Sequence, residues 1–367
     1  MRIIVHIGPH KTGSTSIQSA LKNSAQELRN QNIYYPVHTQ GSARVLPGIF
    51  FGNNRKWGFG LREIFGTIGA LKEISSQFWH ELEKQVQSEK PQTTIISSER
   101  FSSFSQPKQL INRLEKNFDD VKIIYYVRDP VDLFLSSINQ NIRGGTRFED
   151  LKTPWTYAYS KPKRLQRYIS LLGKENIIVR NFDRSNLIDG DVVDDFFHIV
   201  STLVGGKISF SRNDAFKNPS LSAAASVWLM TINETFERFS ETDDQEILQR
   251  RRLVINHLLR SDSIAALPKF EFPDQIPPEI IRHNARDTID WFNEGFLQDQ
   301  VKLVAPVLDA TFPSPEEIQK QMRDWMLGYL TPEAISAVVT ELVTVGKSGV
   351  LGPANGIATR RTHSNNE

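Results

Sequence analysis

Four short apolar runs divide the first half of the chain, and helical spacing returns between them. The first is Ile3-Ile4-Val5-His6-Ile7, within an expected strand over 2–7. It is followed at 14–30 by Ile17, Ala20, Leu21, Ala25 and Leu28 at helical intervals. The second, Thr93-Thr94-Ile95-Ile96-Ser97, ends in Ser98-Glu99-Arg100-Phe101. The third, Val121-Lys122-Ile123-Ile124-Tyr125-Tyr126-Val127, ends in Arg128-Asp129-Pro130. Helical spacing then resumes at Val131, Phe134, Leu135, Ile138 and Ile142. The fourth, Asn176-Ile177-Ile178-Val179-Arg180, follows a helical stretch around 161–172. Near-continuous apolar strands are buried on both faces, and their alternation with helices points to a parallel sheet covered on both sides. The expected fold class is therefore α/β. From about 190 onward the pattern is mostly helical: 190–203, 220–238, 242–260, 277–297, 315–329 and 332–344. The expected organisation is one domain over 1–345, with an α/β core at 1–210 and a helical extension at 211–345. The polar segment 346–367 is expected to be a disordered tail.

Composition narrows the function classes. A length of 367 residues fits one large domain or two ordinary ones. With 39% hydrophobic and 23% charged residues, wholesale disorder and collagen-like repeats are excluded. The absence of cysteine removes disulfides, thiolate metal sites and a cysteine nucleophile. The balance of 44 Lys+Arg against 42 Asp+Glu lacks the basic footprint that nucleic-acid binding needs. No run reaches the ~18 apolar residues of a membrane span. The apolar run at 3–7 is too short for a secretory core and has no small-residue cleavage site. A cytoplasmic protein without a transmembrane segment is expected. Peripheral membrane contact and oligomeric state are left open.

The most informative segment is Gly8-Pro9-His10-Lys11-Thr12-Gly13-Ser14-Thr15-Ser16. It falls between a buried strand and an amphipathic helix, where a phosphate-binding loop belongs. A helix start offers unpaired N–H groups and a positive dipole end. Gly8 and Gly13 have the glycine spacing of the nucleoside-triphosphate loop Gly-x4-Gly-Lys-[Ser/Thr], but the lysine is at 11 and Ser14 occupies its place. The third strand ends in Arg128, and Asp129, ahead of Pro130, reads as a helix-start residue. A nucleotide-dependent kinase is thus a disfavoured rival. No Ser-His-Asp or His-Glu-x-x-His spacing supports a hydrolase. The acidic run Asp189, Asp191, Asp194 and Asp195 lacks calcium-loop spacing and reads as a helix N-terminus.

Pro9-His10-Lys11-Thr12-Gly13-Ser14-Thr15 resembles the 5′-phosphosulfate loop of the sulfotransferases that use 3′-phosphoadenosine 5′-phosphosulfate (PAPS). A second family motif follows in order: a strand ending in Arg128-Asp129-Pro130, with Ser136 eight residues after the arginine. From Pro130 at the first helical position, Ser136 lies ~9 Å along the axis, with its side chain leaning back toward the helix start. The resemblance covers roughly 1–200 and looks like that of a soluble bacterial-type member. It implies a P-loop-like sulfotransferase fold and PAPS as the donor. Lys11, Thr12, Gly13, Ser14, Thr15 and Ser16 would hold the 5′ end, and Arg128 and Ser136 the 3′-phosphate, with no metal. The glycine- and tryptophan-containing loop that cytosolic small-molecule members carry late in the chain is not found. Lys217 is the nearest basic residue to where it would sit.

For catalysis, Lys11 is placed to neutralise charge on the departing phosphate. Glu99, at the C-terminal edge of the second run, is the first choice of base, with His10 and His38 as alternatives. His6 reads as a core histidine. The acceptor is expected to be a glycan, a lipid-linked sugar or a small molecule. Its walls would come from the glycine-rich segment 38–60, with Arg44, Arg55, Lys56 and Trp57, and from Arg143 to Arg147. Lys161, Lys163, Arg164 and Arg167 read as a solvated helix face. A catalytically silent nucleotide-binding protein is the third reading.

Overall fold

Five parallel strands organise the first of two compact units: β1 Arg2–His6, β2 Ile33–Tyr34, β3 Thr93–Ser97, β4 Asp120–Val127 and β5 Ile177–Asn181. Their order is β2-β3-β1-β4-β5, every pair parallel. The computed structural model describes residues 1–52, 61, 64–104, 107–159, 164–212, 221–235, 245–307 and 311–347. The chain leaves central β1 for the β2–β3 edge, then passes to β4 and β5 on the other side. The crevice at such a reversal, outside the C-terminal strand ends, is where open α/β sheets bind ligands. In register, His6 of β1 lies opposite Ser97 of β3 and Ile124 of β4.

The helices are α1 Ser14–Asn23, α2 Ala25–Asn30, α3 Ile68–Glu89, α4 Lys108–Leu114, α5 Pro130–Arg143, α6 Leu165–Leu172, α7 Val192–Val204, α8 Ala223–Thr235, α9 Gln245–Arg260, α10 Glu279–Asn284, α11 Arg286–Gly295, α12 Pro315–Leu327 and α13 Pro332–Lys347, with one-turn helices between some of them. Strand alternation sends Ile3, Val5 and Ile7 into one apolar cluster, shared with Trp79 and Leu82 of α3 and Phe292 of α11. Ile4 joins another cluster, with Ile17 and Leu21 of α1 and Phe196 and Val200 of α7. No helix among the described residues is long and apolar enough to cross a membrane.

The first unit comprises Met1–Phe134, Trp155–Lys217 and Pro278–Phe312; the second comprises Leu135–Pro154, Asn218–Pro277 and Pro313–Glu367. The second unit is helical. Within it, Arg251 of α9 donates to the carbonyls of Ile142 and Arg143 at 3.0 and 2.8 Å, capping the last turn of α5. Burial, with Arg143 close by, pushes Arg251 down to about 10. Glu341 of α13 accepts from His257, Ser261 and Ser263 at 2.7, 2.8 and 2.7 Å.

The two compact units interleave along the chain. Several elements differ from expectation. The stretch 14–30 is two helices, parted at Ser24, whose hydroxyl donates to Ser211 O at 3.3 Å. The stretch 277–297 is likewise two, parted at Ala285. The final helix runs to Lys347, past the expected start of the tail, and 348–367 lie outside the described residues. So do Arg55, Lys56, Trp57, Lys161, Lys163 and Lys217.

Candidate active site

The loop between β1 and α1 has an unusual backbone. Lys11 has φ 67° and Gly13 φ 72°, both left-handed. Gly13 is the N-cap of α1, and a Cβ there would stand 2.5 Å from Val192 Cγ1. At Gly8 a Cβ would stand 2.5 Å from both His6 Nε2 and Ser14 Oγ. Glycine is therefore required twice, once for its conformation and once for close approach of the backbone. Thr12 Oγ1 and Ser14 Oγ donate to Pro9 O at 2.8 and 3.4 Å, bracing the loop from inside. Thr12 and Ser14 are buried, Ser16 is half-buried and Thr15 is exposed.

His6 lies beneath this loop, fully buried. Its Nδ1 is 2.8 Å from Ser97 Oγ, which also accepts from Gln18 Nε2 at 3.3 Å. Its Nε2 is buried without a partner. Burial pushes its pKa down to about 3, against a smaller opposing effect of Glu99, so the ring is neutral. The core reading of His6 agrees with this placement.

Arg128, at the end of β4, donates from Nη1 to Lys11 O at 2.9 Å and lies 5.5 Å from the centre of the Phe182 ring. Its Nε is buried without a hydrogen-bond partner. Its carbonyl accepts from Tyr159 Oη at 2.7 Å. Asp129 is a helix-start residue, as expected: its Oδ1 accepts from Val131 N at 2.8 Å, and Oδ2 lies 3.5 Å from Arg282 Nε. Ser136 is half-buried on α5 and belongs to the second unit.

On the β3 side, Ser98 Oγ accepts from Arg100 N and donates to Ala43 O, fixing the turn that presents Glu99. His10 Nδ1 is 3.1 Å from Glu99 Oε2, and both side chains are about one-third exposed, at 34% and 35%. Two residues read from the sequence as competing bases are thus a contacting pair. His38 lies elsewhere in this unit. Its Nδ1 accepts from Gln40 N at 3.1 Å, its ring meets Phe78 edge-on at 4.9 Å, and burial lowers its pKa.

The support behind the loop was not read from the sequence. Asp195 is fully buried and accepts from Arg180 Nη2 at 2.5 Å and Tyr126 Oη at 2.9 Å. Burial and this carboxylate together raise Tyr126 well above the usual phenol range. Asp191 caps α7, accepting from Val193 N at 2.7 Å. The available signal was the acidic run itself, in which only Asp195 points inward on the same helix that presents Val192 to Gly13.

No family model matches the chain, and no curated protein matches it. Among solved structures, similarity extends to a sulfotransferase from Alicyclobacillus acidocaldarius, at 16% identity and TM-score 0.34, over 58% of this chain and 85% of that one. The sulfotransferase domain of a Synechococcus olefin synthase follows at 12% identity and TM-score 0.33, over 68% and 82%. The sulfotransferase domain of the curacin biosynthetic pathway gives 12% and 0.31, over 88% and 96%. At these scores the likenesses carry no argument about chemistry, which has to come from the residues.

Proposed function

We propose that the β1–α1 loop, Arg128 and the His10–Glu99 pair form the active site of a PAPS-dependent sulfotransferase acting on a hydroxyl, or less often an amine, of a glycan, glycolipid or small molecule. The observation that carries this reading is the flanked loop. Lys11 and the start of α1 stand between a guanidinium tied to Lys11 O on one side and a carboxylate–imidazole pair on the other. The residues suit an anionic donor. Gly8 and Gly13 let the loop backbone pack directly on His6, Ser14 and Val192, where a Cβ would collide, and the donors around the loop include Arg128, whose buried Nε makes no hydrogen bond and lies 3.8 Å from Asp132 Oδ2. A lysine, an arginine and helix-start N–H groups hold phosphate or sulfate without a metal.

When bound, PAPS supplies an activated sulfuryl group, transferred to the acceptor oxygen as the bond to the 5′-phosphate breaks. Lys11 and the N–H groups at 11–16 stabilise the charge left on that phosphate. Glu99, about one-third exposed at the rim and paired with His10, accepts the acceptor's proton, with His10 as the alternative base. Arg128 holds the 3′-phosphate; Ser136 joins it on the strength of the motif alone.

Thermal unfolding with adenosine 3′,5′-bisphosphate tests the reading. At a hundredfold excess over Kd, and without magnesium, the nucleotide should stabilise the protein by ~2.7 kcal/mol. Stabilisation by magnesium-ATP and not by the bisphosphate would replace this reading with the kinase one.

A further inference from the structure

An open groove of about 510 Å³ lies in the first unit, lined by α2, by β2 with the residues after it, and by α3. Aromatic rings supply one part of it. Tyr34 is half-buried, Phe78 is almost fully buried, and His38 meets Phe78 edge-on. Amide and carboxylate groups supply another. Gln77, Glu81 and Gln85 recur every four residues and so share one face of α3. Gln26 and Arg29 come from α2.

The charges here are satisfied locally. Arg29 pairs with Glu89, donates to Gln85 Oε1 at 3.4 Å, and lies 6.0 Å from the centre of the Tyr34 ring. Glu81 accepts from Gln85 Nε2 at 2.8 Å. One cation among two carboxylates gives no excess positive charge to attract a polyanion. Burial raises Tyr34 to about 12 and lowers His38, so both present neutral polar groups. Aromatic faces attract C–H edges through the ring quadrupole, and planar amides and carboxylates can bond to vicinal hydroxyls.

We propose that this groove binds a neutral saccharide. Its role as a subsite for the acceptor's further sugars rests on the sulfotransferase reading; saccharide binding itself does not. The groove is linked to the rim by hydrogen bonds. His38 N donates to Ser42 Oγ at 3.0 Å, and the carbonyl of the next residue, Ala43, accepts from Ser98 Oγ at 2.6 Å, beside Glu99.

Saturation-transfer NMR and calorimetry on the full chain with cellohexaose, maltohexaose and chitohexaose test the proposal. At least one should bind saturably, with affinity unchanged by added salt. Gln77→Ala and Glu81→Ala, both at exposed helix positions, should each weaken it roughly fivefold through a lost hydrogen bond. Tyr34→Phe should also weaken it while keeping the ring. The proposal is overturned if none of the three binds, if all three variants bind as well as the parent, or if only sulfated oligosaccharides bind and salt releases them. Bisphosphate stabilisation in the same samples separates the two readings. If it is absent while saccharide binding persists, the transferase reading fails and the groove stands.

Discussion

Lys11 holds its charge on a left-handed backbone at φ 67°, a conformation that costs a residue with a Cβ about 1–2 kcal/mol. That strain makes two substitutions informative together. Lys11→Ala should lower turnover at least ~100-fold by removing a charge aimed at the developing phosphate. Lys11→Gly should lose as much turnover yet exceed Lys11→Ala in urea stability by about 1 kcal/mol, because only glycine adopts this φ freely. Equal stability of the two would mean that the loop does not hold this conformation. The His10–Glu99 contact at 3.1 Å makes a second prediction at the same scale. Glu99→Gln and His10→Ala should each lower turnover ~100-fold, and the double variant should fall no further than the worse single one. Multiplying losses would show two independent groups.

At the scale of elements, β1 carries a pH dependence. His6 titrates near 6.5 when unfolded and near 3 when folded. Between these values the unfolded chain binds the extra proton, so stability falls as pH falls through this window, by up to about 1.4 kcal/mol per pH unit. Urea midpoints from pH 7 to pH 5 should decline in the parent and decline less in His6→Asn. An unchanged slope would place the titrating group elsewhere. The elements that frame the loop were legible for the same reason that His6 is neutral: β1, β3, β4 and β5 are buried deeply enough to read as apolar runs. β2 pairs through two residues only, too short to leave a pattern. α3 was missed although Leu71, Phe78, Leu82 and Val86 keep helical spacing, because the residues between them are mostly polar. Among the residues proposed for the site, Lys11, Gly13, Arg128, Glu99 and His10 were nameable from local order. The contact between His10 and Glu99 was not, because it depends on β3 lying beside β1.

Across the whole molecule, the residues proposed for the reaction collect in one unit although the chain visits that unit three times. Lys11, Glu99 and Arg128 are spread over more than a hundred positions, and the order β3-β1-β4 brings their strand ends side by side. Only Ser136 falls in the other unit, past the division within α5. This arrangement predicts where a bound nucleotide protects the backbone from hydrogen exchange, since a ligand slows only those openings that release it. Adenosine 3′,5′-bisphosphate should protect peptides spanning 8–18 and 126–134, and leave those of α9 and α12 unchanged. Protection reaching 135–143 would support Ser136 as a phosphate ligand; protection that stops at 134 would remove it from the site. Protection of α9 or α12 without the loop would move the nucleotide site into the second unit, and the roles given to Lys11 and Arg128 would fall with it.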